Sequence, residues 1–420
     1  MPQSRPSRPS LGLSIAGVVW VAALGLGLVG VVLRLATGEV HAGYGSYIPW
    51  GLWVAAYVYF IGLSAGAFLI SALVYVAGVK RLERIGKLAL FTALVTLFMA
   101  LITIWFDIGH MERFWEVYVY GNPSSMMAWM VWLYTAYFLL IIAENWFALR
   151  ADLAAMSRQG GLRGVVGRTL TFGRTDVGDE AVQRDRGTLR VLGTIGVPLA
   201  IAFHGGVGAL FGVIAARPFW NSPIFPIAFI VGALASGGAL ITFVTAFFWP
   251  DRGTQEHRDL VSFLGRMVLA LLALYLLLEW AEFSVGLYGQ VPSESDPYRQ
   301  IMTGPYWYVF WFVHVLVGAL VPLAVLLLRP RSMRWVGAAC GLIAAAFIAV
   351  RLNVVIPGLI IPELKGLNTA YVEPHLSFTY FPSLMEWLVL LFVVAIGVGI
   401  FYAGNKLLPL ATGDESEVQR

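Results

Sequence analysis

Ten long apolar stretches follow one another along the chain, and each is long enough to cross a lipid bilayer. A helix rises about 1.5 Å per residue, so about 20 apolar residues span the hydrocarbon core. Because 59% of the residues are hydrophobic and only 12% are charged, most stretches lack the polar face that a soluble helix bundle needs. We predict an all-α polytopic membrane protein with ten transmembrane helices, at 14–35, 51–78, 88–106, 127–149, 191–215, 224–248, 260–286, 306–328, 335–357 and 384–404.

Lysine and arginine are unevenly distributed between the two sides of these helices. If the N-terminus is cytoplasmic, the segments on the other side contain only Arg34, Arg113, Arg217, Arg299 and Lys365. Cytoplasmic loops of membrane proteins are enriched in these residues, so we expect both termini to be cytoplasmic. The net charge of +4 then reflects orientation in the membrane. No basic run with interleaved aromatic residues predicts nucleic-acid binding.

A small-residue motif occurs twice. The motif around Ser64 in the second helix is echoed around Ser236 in the sixth, 172 residues later, and the same offset takes Asp107 to Glu279. Any two glycine-rich apolar helices look alike, but the shared order of motif and carboxylate favours a duplication.

The duplication predicts a domain organisation. We expect two parallel four-helix bundles, at 1–150 and 191–330, separated by a cytoplasmic loop at 151–190. An added pair of helices and a C-terminal tail occupy 331–420.

Ionisable side chains within the apolar stretches cluster toward the outer side. Such groups are costly at membrane depth and are therefore functional candidates. The candidates are Asp107, His110, His204, Glu279, Glu282, His314, Arg351 and Glu386.

Each candidate also has a structural interpretation. Asp107 could cap its helix and pair with Arg113, and Glu279 could form a buried pair with Arg351. The two histidines, His204 and His314, could be core residues or ligands of a b-type haem.

Metal and haem sites are not expected. The two histidines differ in depth and no second pair exists, and no Glu-x-x-His spacing of a dinuclear site occurs in the seventh or eighth helix. With Cys340 as its one cysteine, the chain cannot hold a four-cysteine iron–sulfur cluster.

The outer loops are rich in aromatic residues. Many of them fit the interfacial belt of a membrane protein. An apolar cleft with a few titratable groups also suits a quinone ring, and quinol oxidation needs a base beside each hydroxyl.

Several motifs resemble the NrfD/PsrC family of membrane subunits over most of the chain. They are Pro49–Trp53, Gly62–Gly66, Asp107–Gly109 with Arg113 and Phe114, and Asn122–Met126. Further motifs resemble the ten-helix branch with HybB-type hydrogenase subunits and DsrP subunits, namely His204–Gly206, Arg217-Pro218, Arg351–Val355 and Pro382–Glu386.

The resemblance implies a quinone/quinol-interacting subunit of a respiratory oxidoreductase complex in a bacterial or archaeal cytoplasmic (inner) membrane. Such a subunit binds menaquinone or ubiquinone at the outer face and has no haem or iron–sulfur cluster of its own. It exchanges electrons with a ferredoxin-like iron–sulfur subunit docked there, which serves a catalytic subunit.

The resemblance implies that Asp107, with His110 near it, borders a quinone pocket, and we expect Tyr47, Trp50, Trp129 and Tyr134 to belong to this pocket as well. It also implies a polar interior for proton movement at His204, Glu279, Glu282 and His314, and we expect Arg351 and Glu386 to belong to the same proton relay. Family members have another residue where this chain has His110, which puts the role of that position in question.

Two other classes of protein fit some of these observations. A secondary transporter with parallel repeats also carries buried carboxylates, but it needs polar groups on both sides of a midplane site, and here they cluster outside. A structural anchor leaves the outer acidic cluster without a role.

Overall fold

The computed structural model describes residues 11–250, 252–364, 366–371, 373 and 375–410. Within these residues, ten helices are long and apolar enough to cross a membrane, which confirms the predicted fold class. They are α1 (Leu11–Thr37), α2 (Leu52–Tyr75), α3 (Gly86–Asp107), α4 (Met126–Ser157), α5 (Asp179–Gly212), α6 (Phe225–Phe248), α7 (Gln255–Gly289), α8 (Val309–Leu328), α9 (Met333–Val355) and α10 (Leu384–Leu407).

Ten successive crossings put the start of α1 and the end of α10 on one side of the membrane, which we call the terminal side. The connections that follow α1, α3, α5, α7 and α9 lie on the other side, which we call the loop side. Side-chain caps fix several helix starts. The Ser125 hydroxyl accepts a hydrogen bond from Ala128 N at the start of α4, and Thr254 accepts one from His257 N at the start of α7.

The two copies of the small-residue motif meet where α2 crosses α6. A Cβ added to Gly66 of α2 would lie 2.8 Å from the Cα of Gly237 in α6, and one added to Gly237 would lie 2.6 Å from the Cα of Gly66. Backbones this close require glycine on both sides, as is common between membrane helices. The motif therefore brings the two halves of the chain together at their centre.

Helix packing groups the chain differently from the predicted bundles. Helices α2 to α5 pack around one another, α6 to α9 pack around one another, and α1 packs along α10. Helix α1 thus lies outside the first group and α9 belongs to the second. A repeat that starts at α2 still relates Ser64 to Ser236 and Asp107 to Glu279, because both pairs occupy matching helices. The predicted boundaries at 150, 190 and 330 remain an interpretation of the sequence.

The contact between α1 and α10 uses small residues and one long-range hydrogen bond. Gly27 and Gly30 lie against Phe392 and Leu388, with no room for a Cβ. Trp20 Nε1 donates to Ala395 O at 2.7 Å.

The predicted cytoplasmic loop at 151–190 is largely helical. Helix α4 continues to Ser157, a short helix covers Gly161–Leu170, and α5 begins at Asp179. The physical reason is a buried ion pair between Arg150 of α4 and Asp185 of α5, which holds the two extensions together.

Helix α8 has an unusual first part. Residues Val309–Leu320 form a π-helix, and α-helix resumes at Val321, followed by Pro322. Wide helical turns of this kind are rare and are found at functional sites. His314 lies in the middle of this segment.

Candidate functional site

Asp107 is the last residue of α3 and lies at the loop side. Its Oδ1 atom is buried and has no hydrogen-bond partner among the described residues. The predicted alternative, a pair with Arg113, does not form, because Arg113 lies beside Glu112 and Glu116 at 4.0 and 3.9 Å. A buried carboxylate oxygen without a partner is costly, and such exceptions occur at functional positions.

Arg34, near the end of α1, holds the peptide groups on both sides of Asp107. Its Nε donates to Phe106 O and its Nη2 donates to Ile108 O, both at 2.9 Å. Nη2 also lies 3.2 Å from the Glu39 carboxylate. A cation at these carbonyls satisfies acceptors that the end of α3 leaves free and complements its helix dipole.

Tyr44 lies in the same cluster. Its hydroxyl is buried without a hydrogen-bond partner in the described structure. Burial raises the pKa of Tyr44, and the carboxylates of Asp107 and Glu39 raise it further, so the hydroxyl keeps its proton. A protonated hydroxyl among carboxylates is available as a hydrogen-bond donor.

Glu386, a predicted relay residue, is fully buried at the start of α10, and both of its carboxylate oxygens accept hydrogen bonds. Its carboxylate accepts hydrogen bonds from Gly43 N at 2.7 Å, Ser383 N at 2.8 Å and the Tyr380 hydroxyl at 2.5 Å. The Ser383 hydroxyl accepts from Glu386 N in return, which completes a capping box. These contacts give Glu386 a structural role in joining α10 to the loop after α1.

Tyr134 of α4 is buried beside Tyr57 of α2, with ring centroids 5.5 Å apart. Phe203 of α5 packs edge-on against Tyr134 at 4.3 Å. Of the six residues predicted to bind quinone, Tyr134 is thus buried between α2 and α5, in the same group of helices that contains Asp107.

Tyr47 and Trp50 line a cavity of about 350 Å³ on the loop side. Tyr47 stacks on Phe378, and Trp50 packs at 5.7 Å from Trp220. The cavity is also lined by Arg217, whose Nε lies 2.9 Å from Glu363.

His110 and Trp129 are exposed. The His110 side chain is 71% exposed and contacts the Glu112 carboxylate at 3.2 Å. Trp129 Nε1 donates to Pro123 O at 2.8 Å. Trp129 belongs to a surface of exposed aromatic residues around the end of α3 and the loop that follows it, which we call the aromatic surface: Trp105, Phe114, Trp115, Tyr118, Tyr120 and Trp129.

The second half of the chain contains a row of polar residues. His314 Nε2 in the π-helix lies 3.3 Å from Glu279 Oε2 in α7. On the other side of the ring, Nδ1 lies 3.5 Å from the Asn353 amide of α9. The predicted alternative, a pair between Glu279 and Arg351, is absent from the ion pairs of the described residues, and Glu279 pairs with His314 instead.

His204 and Arg351 form a second part of this row, between the two helix groups. His204 Nε2 is 2.8 Å from Phe229 O, while Nδ1 is buried without a partner in the described structure. The Arg351 guanidinium lies 4.3 Å from the centre of the Phe229 ring, and its Nη2 is likewise unpartnered. Both side chains lie against Gly62 of α2, where an added Cβ would lie 3.7 Å from Arg351 Nη2 and 3.7 Å from His204 Cε1.

Glu282 follows Glu279 by one helical turn, toward the loop side. It accepts a hydrogen bond from the Ser222 hydroxyl at 3.0 Å. Glu282 and Ser222 line a cavity of about 290 Å³ that also reaches Asn221 and Glu294. Glu282 therefore lies between the polar row and the loop-side surface.

Sequence reasoning missed the residues that surround Asp107 and Glu386. The sequence marks Arg34 only as one of five basic residues on its side, although that rarity near the end of an apolar stretch is a usable signal. Tyr44 and Tyr380 look like interfacial aromatic residues. Nothing in the sequence joins Leu52 to Tyr380, whose backbone N and hydroxyl form a 2.6 Å hydrogen bond.

The fold and the site together define a polytopic, all-helical membrane protein with a buried carboxylate at the loop-side end of its third helix. The family described as "Polysulphide reductase, NrfD" matches residues 41–363, so the chain belongs to the NrfD family. The match runs from the loop before α2 to the loop after α9.

Relatives align over nearly the whole chain. The C subunit of the selenate reductase of Mesobacillus selenatarsenatis is 36% identical, and the alignment covers 92% of this chain and 91% of that protein. The Hdr-like menaquinol oxidoreductase integral membrane subunit of Archaeoglobus fulgidus is 27% identical over 88% and 86%. The menaquinone reductase integral membrane subunit of Nitratidesulfovibrio vulgaris is 23% identical over 96% and 94%.

Proposed function

We propose that this protein exchanges electrons between the membrane quinone pool and an iron–sulfur partner subunit, as the membrane subunit of a respiratory oxidoreductase complex. The buried, unpartnered Oδ1 of Asp107 is the observation that carries this proposal. Two of the relatives are named for menaquinol or menaquinone chemistry, which supports a quinone as the substrate.

The quinone ring binds at the loop-side end of α3, beside Asp107. Tyr57 and Tyr134 supply aromatic walls there, and the aromatic surface gives the ring a route from the bilayer. An apolar cleft with a few converging polar groups is the usual form of such a site.

Asp107 acts as the base of the reaction. Oxidation of a hydroquinone releases two electrons and two protons. Asp107 Oδ1 accepts one proton from a ring hydroxyl, and the second proton is released to water on the loop side. Arg34 fixes this carboxylate by holding the carbonyls of Phe106 and Ile108. The electrons pass to the partner's cluster, and reduction of a quinone runs the same steps in reverse.

The partner docks on the loop side, which is the outer face of the membrane. The excess of arginine and lysine on the terminal side supports this orientation. On the same side as Asp107, Glu279 and His314 of the polar row exchange protons with the surface through Glu282 and the cavity at Ser222.

Asp107→Asn tests the proposal. The variant keeps the shape of the side chain but loses the base, so we expect quinone-linked turnover of the assembled complex to fall about 10²–10⁴-fold. Glu112→Gln is the matched control, because it removes an exposed carboxylate that contacts only its own loop.

Assembly of each variant with its partner subunits is checked by copurification, and turnover is measured with a soluble quinol analogue. Normal turnover of a fully assembled Asp107→Asn complex would make Asp107 a structural residue and would remove the proposed site.

A further inference from the structure

A cavity on the terminal side is lined by four arginines, and we call it the arginine pocket. Its volume is about 760 Å³. Arg252 lies in the connection between α6 and α7, and Arg258 lies in the first turn of α7. Arg331 lies in the connection before α9, and Arg334 lies in the first turn of α9. Two segments far apart in the sequence thus place four positive charges around one space.

These arginines have no ion-pair partner among the described residues. The nearest acidic residues in the sequence are used elsewhere, since Glu256 pairs with Arg84 at 2.7 Å and Asp259 accepts from the Gln255 amide at 3.1 Å. Asp251 lies outside the described residues. The pocket therefore holds a large excess of positive charge.

The positive charge of Arg334 is also unfavourable with respect to the dipole of α9. Arg334 is in the first turn of α9, which contains no acidic residue, and the N-cap Ser332 makes no side-chain hydrogen bond there. Cations are unfavourable at a helix N-terminus, whereas an anion is stabilised by it. An anion in the pocket would offset both the helix dipole and the mutual repulsion of the arginines.

The position of the pocket identifies the source of the anion. Helix α6 ends at Phe248 and α9 begins at Met333, so the pocket lies at the depth of the lipid headgroups. Its lining also includes the apolar side chains of Ala246, Phe247 and Met333. Basic pockets between membrane helices next to apolar surface suit phosphate headgroups whose acyl chains continue along the helices.

We propose that the arginine pocket binds the headgroup of an anionic phospholipid with two phosphates, of the diphosphatidylglycerol class, from the leaflet on the terminal side. Four arginines match two phosphates, because a guanidinium pair can bind one phosphate through bidentate hydrogen bonds. The lipid would clamp α6 and α7 to α9, and this role is separate from the quinone site at the opposite side.

Native mass spectrometry of the full-length protein in detergent tests the assignment. We expect diphosphatidylglycerol to bind more tightly than phosphatidylglycerol, and phosphatidylcholine to bind weakest. The double variant Arg331→Gln/Arg334→Gln should weaken diphosphatidylglycerol binding by about 10–30-fold, from the usual contribution of each basic residue near an anionic surface. The control Arg158→Gln/Arg190→Gln, which removes two exposed terminal-side arginines outside the pocket, should leave binding unchanged.

Three outcomes would overturn the proposal. An equal loss in the control variant would mean that only the total positive charge of this side matters. Equal binding of phosphatidylglycerol would remove the two-phosphate assignment. Displacement of the lipid by inorganic pyrophosphate at similar concentration would assign the pocket to a soluble anion. If Arg331→Gln/Arg334→Gln does not fold, Arg252→Gln/Arg258→Gln tests the opposite side of the arginine pocket. The preference of the wild-type protein for diphosphatidylglycerol over phosphatidylglycerol tests the two-phosphate assignment without any variant.

Discussion

Glu279 and His314 join α7 to α8 within the membrane-spanning part of the protein, with 3.3 Å between Oε2 and Nε2. His314 is 3% exposed and lies in the π-helix, and its other ring nitrogen, Nδ1, lies 3.5 Å from the Asn353 amide. The contact with Glu279 is thus made from within the π-helical segment of α8.

We expect Glu279→Gln and His314→Gln to be coupled in thermal unfolding. A hydrogen bond to a charged group contributes about 1.5–3 kcal/mol, so the double-mutant cycle should give an interaction free energy of roughly that size. Glu282→Gln is the matched control, because Glu282 bonds to Ser222 and should be additive with His314→Gln. Equal coupling in both cycles would mean that the two carboxylates act on His314 only through long-range charge.

Arg34→Gln should destabilise the protein and lower quinone-linked turnover together. The change leaves the carbonyls of Phe106 and Ile108 without their donor, at a cost of about 1–3 kcal/mol for the buried Phe106 carbonyl and less for the partly buried Ile108 carbonyl. Arg34→Lys should restore little of the lost stability or turnover. A lysine ammonium lacks the planar set of donors with which the guanidinium bonds to two carbonyls at once. Thermal unfolding and turnover would be measured for both variants beside Arg113→Gln, an exposed arginine in the loop after α3. A loss in Arg113→Gln as large as in Arg34→Gln would count against a specific role for Arg34.

His110→Gln should leave quinone-linked turnover unchanged. The imidazole is exposed and contacts only Glu112, so it is not placed to meet a ring at Asp107. The measurement is turnover across pH 6–8 in the assembled complex. A fall comparable to that of Asp107→Asn would show that the loop closes over Asp107 when the quinone binds.

Tyr380→Phe should destabilise the protein by an amount that does not change between pH 6 and 9. Burial raises the pKa of Tyr380 and the Glu386 carboxylate raises it further, so the hydroxyl stays protonated as the donor to Glu386. Since its folded pKa exceeds the ordinary value of about 10, stability from this group is complete below pH 10 and falls as the pH rises above it. Chemical unfolding at several pH values would measure this. Tyr47→Phe, whose ring stacks on Phe378, is the control, and a pH-dependent difference below pH 9 would contradict the prediction.

The helices could be predicted from the sequence because the length and apolar composition of each stretch are enough to identify a membrane-spanning helix. Asp107 and Glu279 could also be found from the sequence, because carboxylates are rare within membrane-spanning segments. Partners of these residues could not be found. Gly43 and Glu386 are joined by a hydrogen bond across most of the chain, and the sequence does not indicate which helix meets which.

The pairing of helices shows this limit most clearly. Apolar stretches are similar in composition, so the order along the chain suggests that α1 belongs with α2 to α4. The close approach of Gly27 to Phe392 selects α10 instead. His110 illustrates a different limit, because the repeat offset aligns it with Glu282 although the loop after α3 turns its side chain outward.

The contact between α1 and α10 has a consequence for how the protein is made. The ribosome releases α1 first, and its partner α10 follows about 350 residues later. At about 5–20 residues per second, α1 stays in the bilayer without that partner for roughly 20–70 s. A chain that stops before α10 would leave Gly27 and Gly30 facing lipid. The packing surface of α1 is therefore covered only after α10 has been synthesised.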